Sequence, residues 1–217
     1  MAWRTLAVGI LLTAGAAASA QEPAAPVSQV VPGGIPVEGS PETGRAEDVG
    51  SVDAIVAAFY DVISGPAGSP RQWSRDRTLY VPGAKFVIVG VKEGGSEPSV
   101  AVLDHQEFVD RSDAGMVQEG FFEKEIHRIT RRFGNVAHVL STYEARRTAD
   151  GPVIERGVNS LSLYFDGQRW WIANAAWDVE RPGNPIPQEF LFAERSPVRP
   201  GAGARKKKAP VRKPKRR

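Results

Sequence analysis

From Phe121 to Glu144 the chain reads FFEKEIHRITRRFGNVAHVLSTYE. Two runs of alternating apolar and polar residues flank Gly134-Asn135, a pair that tolerates the positive φ a tight hairpin turn requires. Working outward, Asp150-Gly151 and Asp166-Gly167 punctuate the chain in the same way. They predict four strands, at 120–132, 135–147, 154–165 and 169–179. Upstream, strands at Lys85 to Lys92 and Ser99 to Leu103 flank Gly94-Gly95, and residues 104–112 predict a short helix. Earlier still the period changes to that of a helix. Ser51 is a plausible N-cap, and Val52, Ile55, Val56, Phe59, Tyr60 and Ile63 share one face. Gly65-Pro66 ends this helix, and Ser69-Pro70 predicts the start of a shorter one carrying Trp73. Helices followed by an antiparallel meander imply an α+β domain with helices packed on one face of the sheet.

The hairpin, with Arg156-Gly157-Val158-Asn159-Ser160, Gly167-Gln168-Arg169-Trp170-Trp171 and Trp177-Asp178-Val179-Glu180-Arg181-Pro182, resembles bacterial nuclear transport factor 2-like (SnoaL-like) proteins. The resemblance covers roughly residues 50–192. It implies a cone-shaped, curved, mostly antiparallel sheet, with the N-terminal helices packed over its concave face around a pocket. Isomerases, dehydratases, cyclases and proteins of no known activity share that fold, so the fold does not choose among them.

Turn geometry sets which side chains meet. A two-residue Gly134-Asn135 turn puts Glu125 opposite Glu144, His127 opposite Thr142 and Arg131 opposite His138. Two-residue turns at the other hairpins place Asn159 beside Thr142 and Asn174 beside Asn159. On this register one face collects Phe121, Ile129, Phe133, Val136, Leu140 and Leu161, and it is expected to be the concave one. The same face carries Glu125, His127, His138, Thr142, Glu144 and Asn159. Polar groups set in an apolar concave wall are what a small-molecule pocket needs. Trp170 has the opposite parity to Trp171 and Trp177 and is a further candidate for lining it; those two are expected in the core or a dimer interface.

Two facing carboxylates in an apolar wall resist joint ionisation, and a nearby imidazole exchanges protons with the one that stays protonated. The favoured reading is a pocket for a small apolar ligand, without demonstrated catalysis. The enzyme alternative is a proton-transferring isomerase, dehydratase or cyclase, with Glu125 or Glu144 as base and His127 or Asn159 orienting the substrate. The plain reading puts both glutamates at an open rim, screened by Lys124, Arg131 or Arg146, or in structural hydrogen bonds. His127, His138 and the two glutamates lack tight metal-ligand spacing, so no metal is expected. No nucleotide loop, nucleophile elbow or cofactor motif is recognised, and no cofactor is expected.

The ends differ from the middle. Arg4, an apolar run from Leu6 to Ala18 and Ala18-Ser19-Ala20 form the pattern of a secretory signal peptide cleaved before Gln21, giving an exported, periplasmic or secreted protein. An uncleaved anchor is the alternative. Residues 21–47 read as a flexible linker, 48–194 as the domain and 195–217 as a disordered basic tail. The chain has no cysteine, so its core must form without disulfides. The net charge of +3 hides a split: residues 195–217 hold eleven Lys or Arg and no acid, whereas residues 21–194 sum to −9. Arg205, Lys206, Lys207, Lys208, Arg212, Lys213, Lys215, Arg216 and Arg217 carry most of the tail's charge. In an exported chain this predicts an anionic lipid or polymer as partner, an adaptor role, and argues against nucleic acid. A homodimer through the sheet is the other expected association.

Overall fold

The computed structural model describes residues 44–92, 95 and 97–192. The expected signal peptide, most of the expected linker and the expected disordered tail lie outside these residues. Helices α1 (Ala46–Val49), α2 (Val52–Ile63) and α3 (Trp73–Arg77) come first. Strands β1 (Tyr80–Val91) and β2 (Pro98–Leu103) follow, then α4 (His105–Glu119). The meander β3 (Phe122–Phe133), β4 (Val136–Arg146), β5 (Val153–Phe165) and β6 (Trp170–Val179) completes the sheet, and a 3-10 turn spans Gln188–Phe190.

The sheet order is β2-β1-β6-β5-β4-β3. Every neighbouring pair is antiparallel except β1 and β6. That single parallel pair follows from α4, which carries the chain from β2 to the far edge, so the returning meander ends beside β1. The result is the expected α+β architecture: a curved, mostly antiparallel sheet, with the helices closing its concave face.

Ser51 caps α2, its side chain accepting from the Ala54 amide at 3.0 Å. The apolar stripe Ile55, Val56, Phe59, Val62 and Ile63 is buried against the sheet. Each such side chain taken from water contributes roughly 1.5–3 kcal/mol. Three elements depart from expectation. The helix carrying Trp73 begins at Trp73 and not at Ser69-Pro70, because the segment before it is tied down by its backbone: the Gln72 amide donates to the Val62 carbonyl at 3.0 Å. Helix α4 runs to Glu119 and not to residue 112, ending at Gly120 with a φ of 76°. Strand β1 starts at Tyr80, ahead of the expected Lys85, and its register to β6 shifts between these two residues.

The largest correction concerns register. From Phe133↔Val136 to His127↔Thr142 the pairing is as predicted, and then it slips. Ile126 is the extra residue, so Glu125 faces Tyr143 and Lys124 faces Glu144. The turn at Asp150-Gly151 is wider than two residues, since Arg146 pairs with Val153; Asn159 therefore faces Ser141 and not Thr142. The Asp166 carboxylate accepts from the amides of Gln168 and Arg169, both at 2.8 Å, and widens the last turn. A further shift between Ser162 and Leu163 leaves Asn174 opposite Ser162, far from Asn159.

These shifts reverse the expected face of β4, while β5 keeps Asn159 and Leu161 inside as expected. On β4 the side chains turned to the helices are Ala137, Val139, Ser141, Tyr143 and Ala145, all buried, while Thr142 is buried on the other face beside Phe190. Phe133 and Val136, expected inside, are 87% and 56% exposed. Bulk was the wrong guide on β4: its covered face is mostly small, with Ser141 bonded to Tyr60 of α2 at 2.6 Å and Tyr143 filling what remains.

Candidate functional site

Between α2, α4 and the concave face lies a cavity of about 210 Å³. Its walls are apolar and aromatic, with Phe59, Phe86, Phe108, Phe121 and Trp177 prominent. Phe86 and Phe108 stack with ring centroids 4.8 Å apart, and Trp177 meets Phe108 edge-on at 5.7 Å. Six side chains with polar atoms also line it: Tyr80, Ser112, Glu123, Tyr143, Glu155 and Asn159.

Local stitching places Glu123. Gly65 and Phe121 exchange backbone hydrogen bonds of 2.7 and 3.0 Å, joining the end of α2 to the start of β3. The Glu123 amide then donates to the Ser64 hydroxyl at 3.1 Å. Its carboxylate Oε1 accepts from Asn159 Nδ2 at 2.9 Å, and the same Nδ2 donates to the Tyr60 hydroxyl at 3.2 Å. Tyr60 is bonded in turn to Ser141 at 2.6 Å. Tyr143 donates to Glu155 at 2.8 Å. Gly157 makes room for that tyrosine, because a Cβ at this position would come within 2.6 Å of its hydroxyl and of the Asp178 carbonyl.

Burial pushes the Glu123 carboxyl up to about 8; Asn159 opposes the shift and the charge of Glu155 adds to it. A carboxyl that stays protonated at neutral pH donates as well as accepts. Burial and the neighbouring Glu123 also raise the Tyr60 hydroxyl above its ordinary range, so it stays a phenol.

Of the residues singled out from sequence, Asn159 lines the cavity. Glu125 lies on the same face of β3 but is engaged elsewhere: Arg128 holds it at 2.6 and 2.7 Å, and Ser141 donates to it. His127, His138, Thr142, Glu144 and Asn174 belong to the opposite face, correcting the expected cluster. There Thr142 donates to the Phe190 carbonyl at 2.5 Å, His138 bonds Ser160 at 2.8 Å, and Glu144 pairs with Arg146 at 2.6 Å. Trp170 is 3% exposed and packs in the core, 4.8 Å beneath the Arg132 guanidinium. Trp177, expected in the core or an interface, packs against the core and also lines the cavity. Sequence reasoning passed over Glu123, Tyr60 and Tyr143. The run Ala137, Val139, Ser141, Tyr143, Ala145 was their signal, since small residues on alternate positions mark the side a helix approaches.

A larger depression of about 570 Å³ beside α3 is lined by Arg45, Arg71 and Arg75. It is open to solvent, and two of its arginines are engaged. Arg71 donates to the carbonyls of Gly65, Pro66, Ser69 and Met116, and Arg75 pairs with Asp48 and Asp61. Elsewhere, Asp76 is fully buried and bonds His105 at 2.8 Å, tying α3 to the first residue of α4. Among the described residues no group of three His, Asp or Glu is placed to hold a metal ion.

No family model matches the chain, and no curated protein matches it. Solved structures do resemble it. A Mycobacterium tuberculosis protein of unknown function is 15% identical, covering 65% of this chain and 78% of its own, with a TM-score of 0.47. A hexachlorocyclohexane dehydrochlorinase from Novosphingobium barchaimii is 7% identical, covering 61% and 86%, with a TM-score of 0.44. A nuclear transport factor 2-like protein of unknown function from Silicibacter pomeroyi is 15% identical, covering 60% and 94%, with a TM-score of 0.39. The likeness concerns the fold and carries no activity with it.

Proposed function

We propose that this chain, whose fold is nuclear transport factor 2-like, is an exported small-molecule-binding domain with its ligand in the concave cavity. The observation that carries this reading is a carboxyl, pushed up to about 8 and bonded to Asn159, set in the largely aromatic wall of a cavity of about 210 Å³. Such a cavity takes an apolar body and fixes its polar end. Export rests on the leader pattern from Arg4 to Ala20.

One experiment addresses both parts. Mass spectrometry of the protein recovered outside the cytoplasm should give a chain beginning at Gln21, with a retained small molecule under native conditions. Ser112→Trp, which places an indole into the cavity from α4, should lose that added mass. Retention unchanged in the variant rules out the cavity as the site, and a chain still starting at Met1 rules out cleavage.

A second reading is favoured by the same carboxyl. With its pKa about 8, Glu123 is suited to move a proton at neutral pH, which supports an isomerase or dehydratase in place of simple binding. In that reading Glu123 replaces Glu125 and Glu144, and Asn159 positions it.

A further inference from the structure

The charge of the cavity wall is one-sided. Two carboxyl groups, Glu123 and Glu155, line it, and no Lys, Arg or His among the described residues does. The groups around Glu123 bring no compensating cation. Tyr60 of α2, Tyr80 of β1, Tyr143 of β4 and Asn159 of β5 are neutral, and Glu155 of β5 adds negative charge. Strand β6 contributes Trp177, and α4 contributes Phe108, Ser112 and Met116, none of them charged.

On its outer side Glu123 also borders a surface cleft with Asp61, Lys124, Glu125, Arg128 and Arg146. There Arg128 is held by Glu125 and Asp53, and Arg146 by Glu144. Within the cavity the remaining surface is aromatic, including the stacked Phe86 and Phe108 and the edge-on Trp177. Ring faces attract cations, and the attraction grows when water is excluded.

We infer that the cavity takes a small organic cation, a primary or secondary ammonium on an apolar body, with its charge on Glu123 and its body against the rings. An anion would meet two carboxyl groups and no donor of opposite charge. A neutral ligand would bind with Glu123 still protonated and would leave the ring faces without a cation. The ammonium's charge favours the carboxylate form, so Glu123 gives up its proton as the ligand enters: protonated protein and ammonium yield the ion pair and one released proton. The inference rests on the reading of this cavity as the ligand site.

The test uses three probes of one shape on the full chain: benzylammonium, benzyl alcohol and benzoate. Calorimetry at pH 7 in two buffers of different ionisation heat counts protons, and nuclear magnetic resonance of the Asn159 side-chain amide reports the site. Benzylammonium should bind at least about tenfold tighter than benzyl alcohol, as expected for a charge-assisted bond replacing a neutral one. It should release close to one proton per ligand, and its affinity should rise about tenfold per pH unit up to about 8, then level. Benzoate should not bind. Glu123→Gln should erase the preference and the proton release while keeping benzyl alcohol binding, and Glu155→Gln should weaken benzylammonium several-fold should the first variant fail to fold. Benzyl alcohol binding as tightly as benzylammonium, with no proton released, overturns the amine and leaves the cavity reading intact. An Asn159 amide unmoved by every probe overturns both.

Discussion

Glu123 carries a stability cost that depends on pH. An unfolded glutamate loses its proton near 4.5, whereas the folded carboxyl keeps it to about 8. Between these values the folded state binds the extra proton, so stability falls as pH rises through the interval and is level above it. Asp48 has the opposite sign: it is 3% exposed, and its bonds to Arg75 at 2.6 and 2.8 Å hold it below the usual carboxylate range. Its contribution is present above the unfolded value and lost as pH drops below it. The two slopes leave a maximum in mildly acidic solution. Unfolding free energies from urea titrations between pH 5 and 8 should therefore decline in the natural protein, by roughly 1 kcal/mol per pH unit after solvent screening. In Glu123→Gln that decline should flatten; equal slopes in both proteins would mean the carboxyl is not buried as described. None of this was visible in the sequence, where Glu123 is one of three glutamates and lysines in a row, Glu123-Lys124-Glu125. Its distinction comes from Asn159 and the cavity, both supplied by distant elements.

Helix α4 depends on its ends more than on its face. Asp104 accepts from the Glu107 amide at 2.9 Å, and Glu107 accepts from the Asp104 amide at 2.8 Å, forming a capping box. Only Phe108 of the helix is buried, so little core burial compensates for a lost cap. Asp104→Ala should cost about 1 kcal/mol and raise amide hydrogen exchange across 105–119. An unchanged thermal midpoint would show that packing, not the cap, sets the helix. Because α4 brings Phe108, Ser112 and Met116 to the cavity, the variant should also weaken ligand retention. Element identity was readable from sequence throughout the meander, since alternation and turn residues are local signals. The length of α4 was not: Ser112, Asp113 and Gly115 weaken its helical pattern, and the helix continues because Trp73 donates to Asp113 at 2.6 Å and Arg71 to the Met116 carbonyl at 2.7 Å.

At the scale of the whole molecule, the chain combines a negative span of −9 at residues 21–194 with eleven basic residues and no acid from Arg195 onward. Binding to vesicles containing anionic lipid should be strong at low salt and fall steeply as salt is added. A chain cut before Arg195 should lose it; equal binding by the truncated chain would rule out the tail as the contact. What the sequence alone determined was this charge split, the order of helices and strands and the α+β class, all written in local composition and period. What only the tertiary structure decided was which face of the meander is inside. A bulge at Ile126, a wider turn before Val153 and a shifted register near Leu163 each depend on partners far along the chain. A one-residue slip exchanges the two faces of a strand, so the site kept the expected Asn159 but took Glu123 and Tyr143 in place of His127 and Glu144.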